Sequence, residues 1–359
     1  MLSMLFIILS WGAVPFFIFF KPVKWVSKFL ATGLLASQLR SCWLLLKRTG
    51  FTTPYSDDHP SFLFRIAEFF TSFPWRENFV PYWNAGVVNS VLTSSGTPGI
   101  ALLGTPLFLF MPPHEAMLFV FIFVFIFFIP WMTVWGLRSA GMSVSSALVG
   151  GILALCADRF YFKWLLHFGT VGAMLACAML PAAFAFLYAA MLQPRAKFST
   201  YLGLTISMFF MTQWPPMLML GAPLGLFVAF NTRKWWFSER RTPFLITCLI
   251  ICILILPTII STLSGKMVME YVLTVDGETV NKFDLIRKQV HAVLYEIVLD
   301  SNPLLLFLGF GSLLTIPLRR LRNGLAVMLA AIFLISVLGP VYLPNLQLSR
   351  MTFEASYLM

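Results

Sequence analysis

The chain has 359 residues, 59% of them hydrophobic and 11% charged, with a formal net charge of +11. That much apolar surface exceeds what a soluble core of this size can hide, so a water-soluble globular domain is excluded and a polytopic membrane protein is expected. The positive charge comes in small groups between apolar runs, where it orients a chain in a bilayer; no polar domain carries a basic patch with interleaved aromatics, which excludes nucleic acid as a partner.

A spanning helix needs roughly 20 mostly apolar residues, and the runs near 4–20, 25–46, 114–137, 142–157, 164–190, 199–213, 215–231, 243–263, 302–318 and 323–343 give about ten spans. The fold expected is all-α, a polytopic transmembrane helical bundle forming a single domain over 1–359. Residues 1–20 lack a basic stretch ahead of the apolar run and are followed by Lys21, Lys24 and Lys28, the wrong flank for a cleaved signal, so they are read as the first span.

With those lysines in the cytoplasm, strict alternation puts Arg138, the pair Arg195 and Lys197, the group Arg233, Lys234, Arg240 and Arg241, and the group Arg319, Arg320 and Arg322 inside. Loops 47–113, 158–163 and 264–301 and the tail 344–359 fall outside, and both termini of this cell-membrane protein are expected to be non-cytoplasmic. The run 99–113 is short and contains Gly and Pro. Counting it as a span would send every later basic cluster outside, so it is read as a re-entrant or interfacial helix. All acidic residues except Glu239 then face outward, a sign that the chemistry does too.

Each large outer loop holds an amphipathic helix suited to the membrane interface. In 61–73, Phe62, Ile66, Phe69 and Phe73 share one face opposite Arg65 and Glu68, with the apolar face expected to meet lipid. In 281–299 the apolar set is Phe283, Ile286, Val290, Leu294, Ile297 and Val298. Together they would roof a site.

The candidate site begins at Ser56-Asp57-Asp58-His59-Pro60. Two adjacent carboxylates and an imidazole cost several kcal/mol each if buried unpaired in hydrocarbon, so they need water, a metal or a cationic partner. Asp58 also suits the N-cap of a helix starting near Pro60, leaving Asp57 to react. Asp158-Arg159 sits in the next outer loop and should approach the first. Arg350, in Pro344-Asn345-Leu346-Gln347-Leu348-Ser349-Arg350-Met351, follows the last span and could either hold a phosphate by a bidentate contact or simply meet lipid headgroups. His114, His167 and His291 read as interfacial or helix-end residues. Gln38 and Arg40, polar at depth, hint at a wet interior face. Cys42, Cys156, Cys177, Cys248 and Cys252 all fall in apolar runs and read as packing residues. There is no Walker A, GxSxG, HExxH or dinucleotide fingerprint, and no pair of inverted halves of the kind a secondary transporter carries.

The outward Asp-Asp pair in "SDDHPSFLFR", the "PYWNAGV" and "GTPG" continuation, the second outward Asp-Arg and the late "LPNLQLSRM" segment together resemble the GT-C superfamily of multi-pass glycosyltransferases, nearest to bacterial and archaeal members. Two spans precede the acidic loop here where the family has one, and the late motif reads Arg-Met where the family has Arg-Phe. The resemblance implies an inverting transfer of sugar from a polyprenyl-phosphate donor to an acceptor on the non-cytoplasmic face. It implies Asp57, Asp58 and His59 as the catalytic group, Arg65, Arg159 and Arg350 as phosphate-binding residues, and Asp158, with Asp57 or Asp58, as a holder of magnesium or manganese. The partners implied are the lipid-linked sugar, membrane lipids and an acceptor whose identity the sequence leaves open. Two other classes stay open beside it: a transporter or flippase of lipid-linked sugars, and a non-catalytic subunit of an envelope assembly.

Overall fold

A computed structural model of the chain describes residues 25–56, 58–72, 79–80, 87–88, 97–155, 165–167, 169, 171–193, 195–212, 241–264, 282–300, 311 and 319–342. These are almost wholly helical. In chain order the elements are α1 (Trp25–Thr49), α2 (His59–Ser72), β1 (Phe79–Val80), β2 (Val87–Val88), α3 (Pro98–Phe108), α4 (Pro113–Ser139), α5 (Val144–Leu155), α6 (Val171–Leu192), α7 (Ala196–Thr212), α8 (Arg241–Ser264), α9 (Lys282–Asp300) and α10 (Arg319–Tyr342). The two strands are a minimal antiparallel pair with Phe79 opposite Val88.

By length and composition, α1, α4 and the Met174–Leu192 part of α6 can cross a membrane, which marks the protein as membrane-embedded. The runs 4–20 and 215–231, and 302–318 apart from Gly311, lie outside the described residues. Of the expected span 142–157, the described part is the helix Val144–Leu155. The expected span 164–190 is revised. Residues 165–167 form a separate wide turn, Gly169 takes φ +72°, and the helix proper begins at Val171.

The centre of the bundle is α4. Pro130 has no N–H, so the carbonyl four residues before it, Ile126, loses its α-helical donor. The helix responds by widening to π geometry over Ile122–Phe128, with the Ile129 N–H reaching back five residues to Val124. The Ile126 carbonyl is met from outside the helix by Gln38, whose Nε2 donates to it at 3.0 Å. Gln38 is 0% exposed, whereas Arg40 is exposed on the opposite side of α1. The two do not share a wet interior face as expected: Gln38 repairs a proline-broken helix.

Small residues let the neighbours approach. A Cβ on Gly151 of α5 would lie 3.2 Å from the Pro130 carbonyl oxygen, and one on Gly136 would lie 3.1 Å from Ala182 Cα of α6. Such close approach replaces the hydrophobic drive that lipid cannot supply between helices. On α7 and α8, Gly203 faces Ile250, and the Thr247 hydroxyl donates to the Ser199 carbonyl at 3.0 Å.

These contacts fix which helix ends lie together. Ser27 is 3.0 Å from Ser145, Trp135 stacks edge-on to Phe186 and Tyr201 at 5.3 and 4.3 Å, and Ser199 pairs with Thr247. Lys28, Arg138, Arg195, Lys197 and Arg241 therefore gather at one end. Asp58, Glu68 and Glu115 gather at the other, in company with Lys47, Arg48 and Arg65.

The amphipathic helices differ from expectation in what they cover. Phe62, Leu63 and Ile66 of α2 are buried against the protein core, chiefly α3 and α4, instead of facing lipid. On α9, Phe283 is 76% exposed and Leu294 also points outward, while Val293, absent from the expected set, is buried. The α9 helix lies antiparallel to α10, with Lys282 Nζ 5.7 Å from the Tyr342 ring centroid. The expected re-entrant segment is the 11-residue α3, which buries Gly99, Ile100, Ala101 and Gly104.

Two outcomes test this arrangement. In detergent, Gln38→Leu should lower unfolding stability by about 1 kcal/mol, and by less in a Pro130→Ala background, where the Ile126 carbonyl regains an in-helix donor; equal losses in both backgrounds would detach Gln38 from the proline. Cysteines placed at the exposed positions Thr52 and Met142 should react with an impermeant maleimide from opposite sides of the membrane; labelling from one side would break the end assignment.

Candidate functional site

The site lies at the acidic end. The α1 helix stops at Gly50, whose φ of +62° suits the left-handed residue after a helix, and the Phe51 N–H closes the turn onto the Leu46 carbonyl at 3.0 Å. From there the chain descends along α4: the Thr53 hydroxyl donates to the His114 carbonyl. By the time it reaches His59 it lies level with Phe121, whose ring centroid is 5.7 Å from that of His59. Eight residues of helix put this point about 12 Å below the start of α4.

Ser56 and His59 bond to each other in both directions. The His59 N–H donates to the Ser56 carbonyl at 3.2 Å, and the Ser56 N–H donates back to His59 Nδ1 at 3.1 Å. An N–H can only donate, so Nδ1 accepts, and the ring is the tautomer with its hydrogen on Nε2. The Ser56 Oγ sits 2.9 Å from the same Nδ1 and donates to the Leu166 carbonyl at 2.9 Å. His59 is 0% exposed. Its described contacts give it a positioning part in the turn, beside any role with the carboxylates.

Leu166 and Gly169 are packed directly on this turn. A Cβ on Gly169 would lie 2.7 Å from the His59 backbone nitrogen and 3.2 Å from the Asp58 carbonyl carbon. Only a residue without a side chain, in a positive-φ conformation, fits there. The chain segment just after the 158–163 loop thus rests on the start of the first acidic motif.

Asp58 stands at the N-cap of α2, where its carbonyl accepts the Phe62 N–H at 3.0 Å. The helix N-terminus favours negative charge at that point. Arg65 lies two turns on, with its guanidinium carbon 5.6 Å from the Phe62 ring centroid. Burial pushes the Arg65 guanidinium down from its ordinary value, and the Asp58 carboxylate pushes it back up. A carboxylate at a helix N-terminus with a sheltered cation on the same helix can orient a hydroxyl and offset a phosphate.

Of the residues singled out from the sequence, Asp58, His59 and Arg65 come together here. Asp57, Asp158, Arg159 and Arg350 lie outside the described residues. Among the described residues no three His, Cys, Asp or Glu side chains gather as a metal site, and of the carboxylates that could hold magnesium or manganese only Asp58 is described. His114 is exposed and pairs with Glu115 at 3.8 Å, and His167 and His291 are exposed too. The sequence reading included Ser56 in the motif without giving it a role, and it missed Gly169 as part of the site. The signal was His167 and Gly169 interrupting the apolar run 164–190.

Gly169→Ala should therefore cost about 1–3 kcal/mol and loosen the first loop. Limited proteolysis would read this as faster cleavage between Gly50 and Asp58, and an unchanged cleavage rate would remove the wedge from the account.

No protein-family model, no curated protein and no solved structure matches the chain.

Proposed function

We propose that the protein is a GT-C-type membrane glycosyltransferase of about ten spans. It moves a sugar from a polyprenyl-phosphate donor to an acceptor at its acidic, non-cytoplasmic end. One observation carries the reading. The turn bearing the first acidic motif is hydrogen-bonded to Leu166 and wedged by Gly169, roughly ten residues after Asp158-Arg159, so two segments far apart in sequence meet at one place.

The chemistry follows from what the transfer needs. The acceptor oxygen attacks the anomeric carbon on the face opposite the lipid phosphate, the bond to the phosphate oxygen breaks, and configuration inverts. Asp57 or Asp58 takes the hydroxyl proton as general base. The leaving polyprenyl phosphate keeps the electron pair of the broken bond, and Arg65, with Arg159 and Arg350, offsets its charge. A divalent cation held by Asp158 with Asp57 or Asp58 would add to that offset when bound. The sunken position of the turn suits a donor whose phosphate stays near the bilayer while its isoprenoid tail remains in hydrocarbon.

Asp57→Asn and Asp58→Asn tested separately should identify the base: one of them lowers transfer from a polyprenyl-phosphate sugar by about 10²–10⁴-fold, with wild-type product of inverted anomeric configuration. Full activity in both variants, or movement of lipid-linked sugar with no new glycosidic bond, would end the transferase reading.

A further inference from the structure

At the level of the Trp135, Phe186 and Tyr201 ring cluster, toward the basic end, α4, α6 and α7 enclose a cavity of about 290 Å³. Its α4 wall runs from Phe128 to Trp135, seven to fourteen residues further along α4 than Phe121 and on the order of 10–20 Å from the acidic turn, so it is a separate feature. Its walls are apolar and aromatic: Trp131, Trp135, Phe186 and Tyr201 with Met208. The one hydroxyl of the wall with its own helical bond, Thr205 Oγ1, is already given to the Tyr201 carbonyl at 2.7 Å. The surface of this lining is almost wholly apolar. Dry apolar cavities of roughly half this volume take up hydrocarbon solutes, and at roughly 30 Å³ per water-sized group this one has room for about ten methylene-sized groups.

The mouth is at Leu204, which is 49% exposed on a helix inside a membrane-embedded bundle, so it opens sideways to lipid. Seven residues back along α7, about 10 Å toward the basic end, lies Lys197. Arg195 precedes it and Arg138 closes α4, all three exposed. Lys197 Nζ is held 4.9 Å from the centroid of the Phe198 ring. The spacing from a cation group to the mouth matches that from the phosphate of a membrane lipid to the upper part of its chain.

We infer that this cavity holds one acyl chain of an anionic phospholipid from the leaflet at the basic end, with its headgroup against Arg195 and Lys197. The basic groups select the headgroup and the cavity takes the tail. The inference does not depend on the transferase reading, since neither the site nor the leaflet is shared.

The test uses the full chain in nanodiscs of mixed zwitterionic and anionic phospholipid, one or the other carrying a mid-chain diazirine, with cross-links mapped by peptide mass spectrometry. In the wild-type protein the anionic probe should label Trp131, Trp135 or Met208 well above the outward-facing Leu249 and Ile253. Arg195→Gln and Lys197→Gln should each lower that labelling by about fivefold with Leu249 and Ile253 unchanged. Thr205→Phe, which fills the cavity, should abolish it. Wild-type labelling no higher than at Leu249 and Ile253 would overturn the inference without any variant. So would labelling indifferent to the two charge changes or to Thr205→Phe, or preferential labelling by a photoreactive polyprenyl phosphate, which would make the occupant an isoprenoid.

Discussion

In hydrocarbon, a backbone carbonyl without a donor has no water to turn to, and the architecture depends on how one such carbonyl is satisfied. Pro130 leaves Ile126 without its in-helix partner in the middle of the most buried helix of the bundle. The wide turns of Ile122–Phe128 and the amide of Gln38 answer that single vacancy together. The bond also ties α1 to α4 at a fixed height. With α1 and α4 in register, Gly151 can slot α5 against Pro130 and Gly136 can receive α6. The aromatic cluster, the cavity and the level of the acidic turn all follow from that register.

The acidic end uses a different device. There the chain leaves α1 through a left-handed glycine, descends along α4 and reverses in a turn whose bonds run both ways between Ser56 and His59. The hydroxyl of Ser56 extends the turn outward to Leu166, and Gly169 closes against it from the other side. Ser56 and His59 are thereby held below the level of the helix ends, with the Ser56 hydroxyl and the N–H groups of both residues bonded locally. Asp58 is left half-buried at the N-terminus of α2.

Helix existence was largely legible from apolar run length, because that is the property hydrocarbon selects: α1, α4, α6, α8 and α10 lie where the runs are. Lengths were less legible. The run 164–190 breaks at Gly169, because a hydropathy average does not see the one backbone angle that ends a helix. Burial direction was the least legible. The apolar stripe of α2 reads the same whether it meets lipid or protein, and only the presence of α3 and α4 beneath it decides. Gln38 and Arg40 looked alike as polar residues at depth, yet two positions on a helix point about 200° apart, one into the bundle and one out of it. The acidic motif stood out by composition. The glycine that seats it did not, since its meaning lies in a contact with a residue 110 positions earlier in the chain.

The α7 helix carries Thr200, Thr205, Ser207 and Thr212, and each hydroxyl bonds to a carbonyl of its own helix four residues back. Polarity written in the sequence is folded inward along the helix axis, so what α7 offers its surroundings is methyls and methylenes. A segment that hydropathy ranks as mediocre can then partition into oil as though it were greasier than its letters, while the Thr247 hydroxyl on the Ser199 carbonyl still ties it to α8.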